Sequence, residues 1–143
     1  MSSPFLERPE SDWIASNALA FALFDGFPVS PGHALVIPRR LVATWFEATE
    51  DEQRALMALV EEVKQRLERD FKPDGYNIGI NVGEAGGQTV FHLHVHLIPR
   101  YRGDMDDPRG GVRHVIPWKG NYKKAAVTRL ATGLEVSPSR QES

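Results

Sequence analysis

From Phe91 to Leu97 the chain reads FHLHVHL, with histidine and apolar side chains in strict alternation. On a β-strand, residues two apart point to the same face. The pattern therefore predicts a strand over residues 90–98 in which Phe91, Leu93, Val95 and Leu97 pack on a core. His92, His94 and His96 then stand together on the opposite face. Only five histidines occur in 143 residues, so three within five positions form one constellation rather than three scattered side chains.

An apolar strand face needs a covering layer, and the sequence supplies one. Thr49 and Glu52 have the spacing of a capping box, and Glu50 and Asp51 favour the positive end of a helix. Leu56, Leu59, Val60, Val63 and Leu67 then form one apolar stripe, and Lys72-Pro73-Asp74-Gly75 ends the helix. NALAFALF (17–24) and HALVIPR (33–39) read as two strands of an antiparallel hairpin joined by the turn-rich DGFPVSPG (25–32). YNIGINVG (76–83) is a further strand, with Tyr76, Ile78, Ile80 and Val82 on one face and Asn77, Gly79, Asn81 and Gly83 on the other. The Asn/Gly face is either open to solvent or floors a site where a ligand approaches the backbone. A short helix is expected near 121–133, and the tail at 134–143 reads as disordered.

A length of 143 residues suits one domain. No apolar run is long enough to span a bilayer, and the first residues lack a secretory pattern, so a cytoplasmic protein is expected. The net charge of −2 speaks against a general nucleic-acid coat or an anionic-membrane binder. Without cysteine there is no disulfide, thiolate metal site or cysteine nucleophile. Residues 100–130 nonetheless carry eight Lys/Arg against three Asp, either a solvated face or a rim that attracts a small polyanion.

Three explanations compete for the histidine row. It could be an exposed sheet face without chemistry. It could hold a metal, since imidazole ligates zinc well, with His33 or Asp25 as an outside ligand. On a straight strand, however, His92 and His96 lie roughly 13 Å apart, too far to share one ion. It could also be nucleophilic: a neutral imidazole attacks phosphorus, forms a phosphoramidate and releases it to water. The middle residue, His94, would then attack while its neighbours hold the phosphate.

At this point the segment GQTVFHLHVHLIPR, with the upstream PVSPGHALVIP and AFALFD, resembles the histidine-triad (HIT) family over about residues 13–104. The resemblance implies an α+β fold, an antiparallel sheet of about five strands with one main helix, commonly paired as a homodimer. It implies a domain over 1–133, with a C-terminal extension over about 100–133. It further implies a nucleotidyl hydrolase acting at the α-phosphate of nucleoside 5′-phosphate derivatives, most similar to the dinucleoside-polyphosphate hydrolase branch. His94 would be the nucleophile, with His92 and His96 holding phosphate oxygens and assisting the leaving group; His33 would pack beside His92 and orient the row. Asp25 would bind the ribose hydroxyls, and Asn81, Gln88 and Thr89 the phosphates. Phe5, Phe24 and Ile14 are candidates for an apolar base cleft, with adenine expected from the family.

His96 stands where the uridylyltransferase branch carries Gln, which favours hydrolysis over transfer. No tightly bound cofactor or metal is expected, although Mg2+ or another divalent ion could accompany the substrate. Arg100, Arg102, Arg109, Arg113 and Lys119 either contact distal phosphates or are surface charges; His114 reads as a loop residue, and Trp118 and Tyr122 as loop anchors or base-stacking groups. The alternatives are a nucleoside phosphoramidase or nucleotidyltransferase of the same family, and a nucleotide-binding regulatory module with little turnover.

Overall fold

A computed structural model of the chain describes residues 2–122. The expected C-terminal helix from residue 123 onward and the tail at 134–143 lie outside the described residues. The chain divides into two compact units, Met1–Tyr101 and Arg102–Ser143.

The first unit is a five-stranded antiparallel sheet with one long helix. Its strands are β1 (Ala15–Ser16), β2 (Ala20–Phe24), β3 (Ala34–Pro38), β4 (Gly75–Gly79) and β5 (Val95–Arg100), arranged β1-β2-β3-β5-β4. Helix α1 (Glu50–Phe71) starts and stops where its local chemistry dictates. The Thr49 hydroxyl accepts the Glu52 N–H at 3.1 Å while the Glu52 carboxylate accepts the Thr49 N–H at 2.9 Å, completing the capping box. Lys72 closes the other end in the left-handed conformation, with φ 50°. All five residues of the expected stripe are buried.

These side chains meet Ala20, Ala22, Ala34, Val36, Val95 and Leu97 from one face of the sheet. The other face carries Phe21, Leu23, Leu35 and Ile37, covered by Phe5 and Trp13 of the N-terminal segment. Trp13 stacks on Phe21 at 4.8 Å and lies under the Arg39 guanidinium at 5.0 Å. Both faces of the hairpin are thus buried, which explains why β2 and β3 are near-continuous apolar runs.

Four expectations need correction. The histidine strand begins only at Val95; His92 lies in a bend and His94 in extended chain ahead of it. Phe91 consequently does not join the core and is 51% exposed. The strand from Tyr76 ends at Gly79 rather than Gly83, because the chain turns through Gly83 (φ 78°) into a helical turn at Glu84–Gly86. Ile14, a candidate for a base cleft, is buried on the helix side of the sheet.

The second unit is held by short polar links. Asp107 receives the Arg109 guanidinium at 3.0 Å and the Asn121 amide. Arg109, first among its neighbours, draws the Asp107 carboxyl down to about 2. Arg113 donates to the Gly120 and Lys119 carbonyls at 3.1 and 3.2 Å, and His114 donates from Nε2 to the Arg109 carbonyl at 2.9 Å. Trp118 is 98% exposed. No helix among the described residues is long and apolar enough to cross a membrane.

Candidate functional site

The site forms where β5 emerges beside β3. Register sets it: His96 pairs with Leu35 on β3 and with Gly79 on β4, so all three share one face. Gly79 leaves room there, since a Cβ at that position would meet nothing within 4 Å. The ring centroids of His94 and His96 stand 5.0 Å apart, edge to face, and both side chains are half-buried.

The loop between β2 and β3 delivers the next two groups. Its ends are clamped by the Asp25 N–H donating to the His33 carbonyl at 2.9 Å. Ser30 donates to the Pro99 carbonyl at 2.6 Å and Tyr101 to the Pro31 carbonyl at 2.7 Å, tying the loop to the end of β5. Gly32 turns at φ 86° against the Phe71 ring and presents His33, which is 3% exposed. His33 Nε2 lies 2.9 Å from His96 Nδ1 and 3.4 Å from Asp25 Oδ2. The resemblance had placed His33 beside His92; the β3–β5 register places it beside His96 instead.

Hydrogen-bond partners fix each proton. The Val29 N–H donates to His33 Nδ1 at 3.1 Å, so the neutral His33 proton sits on Nε2. His33 therefore donates to His96 Nδ1, and His96 carries its own proton on Nε2. His94 Nδ1 lies 2.7 Å from the His92 carbonyl, which can only accept. The His94 proton is therefore on Nδ1, and its Nε2 lone pair is free. Burial, aided by His94 and His33 and opposed by Asp25, lowers His96 to about 4. Burial likewise lowers His33 and His92. These imidazoles are neutral at pH 7.

His92 does not hold phosphate. Its ring is fully buried: Nε2 donates to the Pro38 carbonyl at 2.8 Å, and Nδ1 accepts the Ser3 hydroxyl at 2.7 Å. Gln88 also points inward, at 3% exposure. Its Oε1 accepts the Gly83 N–H at 2.9 Å, and its Nε2 donates to the Ala43 and Val90 carbonyls at 2.7 and 3.1 Å. Both side chains are committed to the scaffold. Asn81 and Thr89 are exposed. Asp25 gives Oδ1 to the Phe27 N–H at 2.8 Å and turns Oδ2 towards His33. Of the cleft candidates, Phe5 lies edge to face on His94 at 5.0 Å, and Phe24 contacts Phe71 at 6.0 Å. Among the basic residues, Arg109 is paired with Asp107, and Arg100 donates to Asn77 Oδ1 at 2.6 Å.

Asp25, His33 and His96 offer ligand atoms within 4.8 Å of one another, the spacing of a metal cluster. The donor set does not suit an ion. His33 would have to ligate through Nε2, the nitrogen that keeps its proton because Val29 N–H occupies Nδ1. The His33 Nε2–H instead donates to His96 and aims it, with the Asp25 carboxylate 3.4 Å from the same nitrogen.

A family model described as "HIT domain" matches residues 7–103. An "AP-4-A phosphorylase" of Mycobacterium tuberculosis is 37% identical over 111 residues, covering 73% of this chain and 57% of that protein. A "Bis(5'-adenosyl)-triphosphatase" of Dictyostelium discoideum is 36% identical over 104 residues, covering 73% of this chain and 69% of that protein. The chain thus spans little more than half of the mycobacterial relative. Among solved structures, a hypothetical histidine triad nucleotide-binding protein from Sulfolobus tokodaii is 38% identical with a TM-score of 0.62, covering 67% of this chain and 64% of that one. With the family model spanning the sheet, the helix and every histidine of the site, the chain belongs to the HIT domain family.

Proposed function

We propose that the chain hydrolyses nucleoside 5′-phosphate derivatives at the α-phosphate, with diadenosine polyphosphates as substrates. One observation carries this reading: the His92 carbonyl holds the His94 proton on Nδ1, leaving Nε2 as a nucleophile beside a second imidazole that presents an N–H. His94 Nε2 attacks the α-phosphorus, and a P–N bond forms. The P–O bond to the β-phosphate breaks, and its electron pair leaves with the nucleoside polyphosphate. Water then attacks the same phosphorus and gives up a proton to solvent, the P–N bond breaks with its electron pair returning to Nε2, and a nucleoside monophosphate is released.

His96 donates from Nε2 to a non-bridging oxygen as negative charge grows there. A polyphosphate departs as an anion, so a neutral His96 that donates a hydrogen bond rather than a proton suffices. Asp25 Oδ2, at the mouth of the same loop, suits a ribose hydroxyl, and the exposed Asn81 and Thr89 suit phosphate oxygens. Any divalent cation travels with the polyphosphate rather than residing on the histidines. The names of two relatives, a triphosphatase and an AP-4-A phosphorylase, support the substrate class.

The phosphorylase name favours one second reading, in which phosphate rather than water accepts the nucleotide from His94. The reading also includes a homodimer, supported by β4 at the sheet edge with Ile78 50% exposed.

The test is product analysis on diadenosine tetraphosphate, with wild type and His94→Asn, each with and without inorganic phosphate. Hydrolysis gives AMP and ATP in both buffers. Phosphorolysis gives ADP and ATP only when phosphate is present. The variant loses either activity by at least a hundredfold (roughly 10²; a nucleophile cannot be bypassed). A folded His94→Asn protein that still turns over refutes the nucleophile.

A further inference from the structure

The mechanism gives His92 no contact with substrate, yet its surroundings are organised. Its Nε2–H donates to the Pro38 carbonyl at 2.8 Å, so Nδ1 must accept. The acceptor's partner is Ser3 Oγ at 2.7 Å, on a residue 1% exposed and 89 positions away. Ser3 is also the knot of the first turn of the chain. Its Oγ accepts the Phe5 N–H at 3.2 Å, and its carbonyl accepts the Leu6 and Glu7 N–H groups at 3.0 and 3.3 Å. That turn aims the Phe5 ring, which lies 5.0 Å from the His94 ring and 5.9 Å from the His92 ring.

Two routes therefore run from Ser3 to His94. One passes through the His92 ring to the His92 carbonyl, which holds the His94 Nδ1–H at 2.7 Å. The other passes through the Phe5 ring, which packs edge to face on His94. Each route governs something nucleophilic attack depends on: the first the placement of the His92 carbonyl that keeps the His94 proton on Nδ1, the second the plane of the ring.

We propose that Ser3 is a positioning residue for His94, coupling the N-terminal turn to the tautomer and orientation of the nucleophile. It rests on the reading of His94 given above. The chemistry needs a hydroxyl that donates to one nitrogen while accepting one amide; a methyl group can do neither. Once Ser3 is truncated, the His92 ring is held at Nε2 alone and its buried Nδ1 has no donor, and the Phe5 turn loses its side-chain tie.

The experiment compares wild type, Ser3→Ala, Ser3→Thr and, as a control in the same turn, Ser2→Ala, all as full chains labelled with ¹⁵N-histidine. The Ser2 hydroxyl is exposed and, among the described residues, donates to Glu7 at 3.5 Å. Imidazole ¹⁵N shifts report which nitrogen of His92 and His94 carries the proton. Kinetics on diadenosine tetraphosphate report kcat and KM. Ser3→Ala lowers kcat roughly tenfold with KM within about twofold, and the His94 resonances move towards a mixture of tautomers. Ser3→Thr restores most of kcat and the wild-type shifts; Ser2→Ala matches wild type.

Ser3→Ala with wild-type kcat and unchanged tautomers overturns the proposal. So does a loss of activity that merely follows the folded fraction while the tautomers stay put. If wild type shows no turnover on the substrate, the functional reading has failed, and the nitrogen shifts still decide whether Ser3 sets the His94 tautomer.

Discussion

Replacing Gln88 by leucine separates two roles that a glutamine beside a glycine-rich loop can have. As a phosphate ligand its amide faces solvent, and removing it weakens binding without affecting folding. In the structure the amide instead serves three backbone groups: the Gly83 N–H and the Ala43 and Val90 carbonyls. Leucine keeps the volume and leaves all three without that partner. A neutral hydrogen bond contributes about 1 kcal/mol net, and a buried group stripped of its partner costs more. Three such groups, at a side chain 3% exposed, set the expected loss at about 3 kcal/mol. For a unit of this size that is a fall in Tm of roughly 15 °C. Gln88→Glu refines the test. Its carboxylate still accepts from Gly83 but sets an oxygen against two carbonyls, so the variant is less stable than wild type at pH 7 and recovers as acid protonates it. The assays are thermal and urea denaturation, alongside kcat and KM for the folded protein. A Gln88→Leu protein that melts like wild type while KM rises tenfold would show that the amide faces the ligand, and the inward assignment would be wrong.

The pH dependence of stability follows from two further groups. His96 falls from an ordinary 6.5 to about 4 on folding, so between these values the unfolded chain binds more protons. Its contribution is complete above pH 6.5 and declines on acidification towards pH 4, a loss on the order of 2 kcal/mol for a half-buried ring. Glu52, held at about 2 chiefly by its bond to Arg40, contributes fully above its ordinary 4.5 and loses this as pH falls towards 2. Urea midpoints measured from pH 7 to pH 3 should decline throughout; a midpoint that rises on acidification from 6.5 to 4 contradicts the His96 assignment. Gly32→Ala strains a backbone at φ 86° and puts a methyl 3.1 Å from the Phe71 ring. It is expected to cost about 2 kcal/mol and to lower kcat further by shifting His33; an unchanged melting curve counts against the rigidity of that turn.

Helix α1 was legible because everything that specifies it is local: a capping pair three residues apart, a stripe at helical spacing and a Lys-Pro stop. The alternation FHLHVHL was legible as to which side chains oppose one another, and Leu93, Val95 and Leu97 are indeed core. It said nothing about where the strand begins. Alternation needs only extended backbone, whereas a strand needs a partner, and pairing with β3 reaches back only to Val95. That gap changes the chemistry. In a full strand His92 would stand in the row and face the ligand; in the bend, its ring reaches the Pro38 carbonyl and the Ser3 hydroxyl instead.

The pairing of His33 with His96 was hidden for a related reason. The two lie 63 residues apart, and only the register Leu35↔His96 brings them together. The N-terminal segment left the weakest trace. MSSPFLERPESDW has no period, only isolated apolar residues at Phe5, Leu6 and Trp13 among turn formers. Two faint signals were present: β2 and β3 are apolar at nearly every position, so their second face needs a cover, and a buried histidine needs a partner for each nitrogen. Nothing between β1 and the end of β5 provides the Ser3 hydroxyl or the Phe5 ring. The imidazole proposed as nucleophile is thus oriented in part from outside the motif that announces it, by residues whose sequence neighbours carry no pattern.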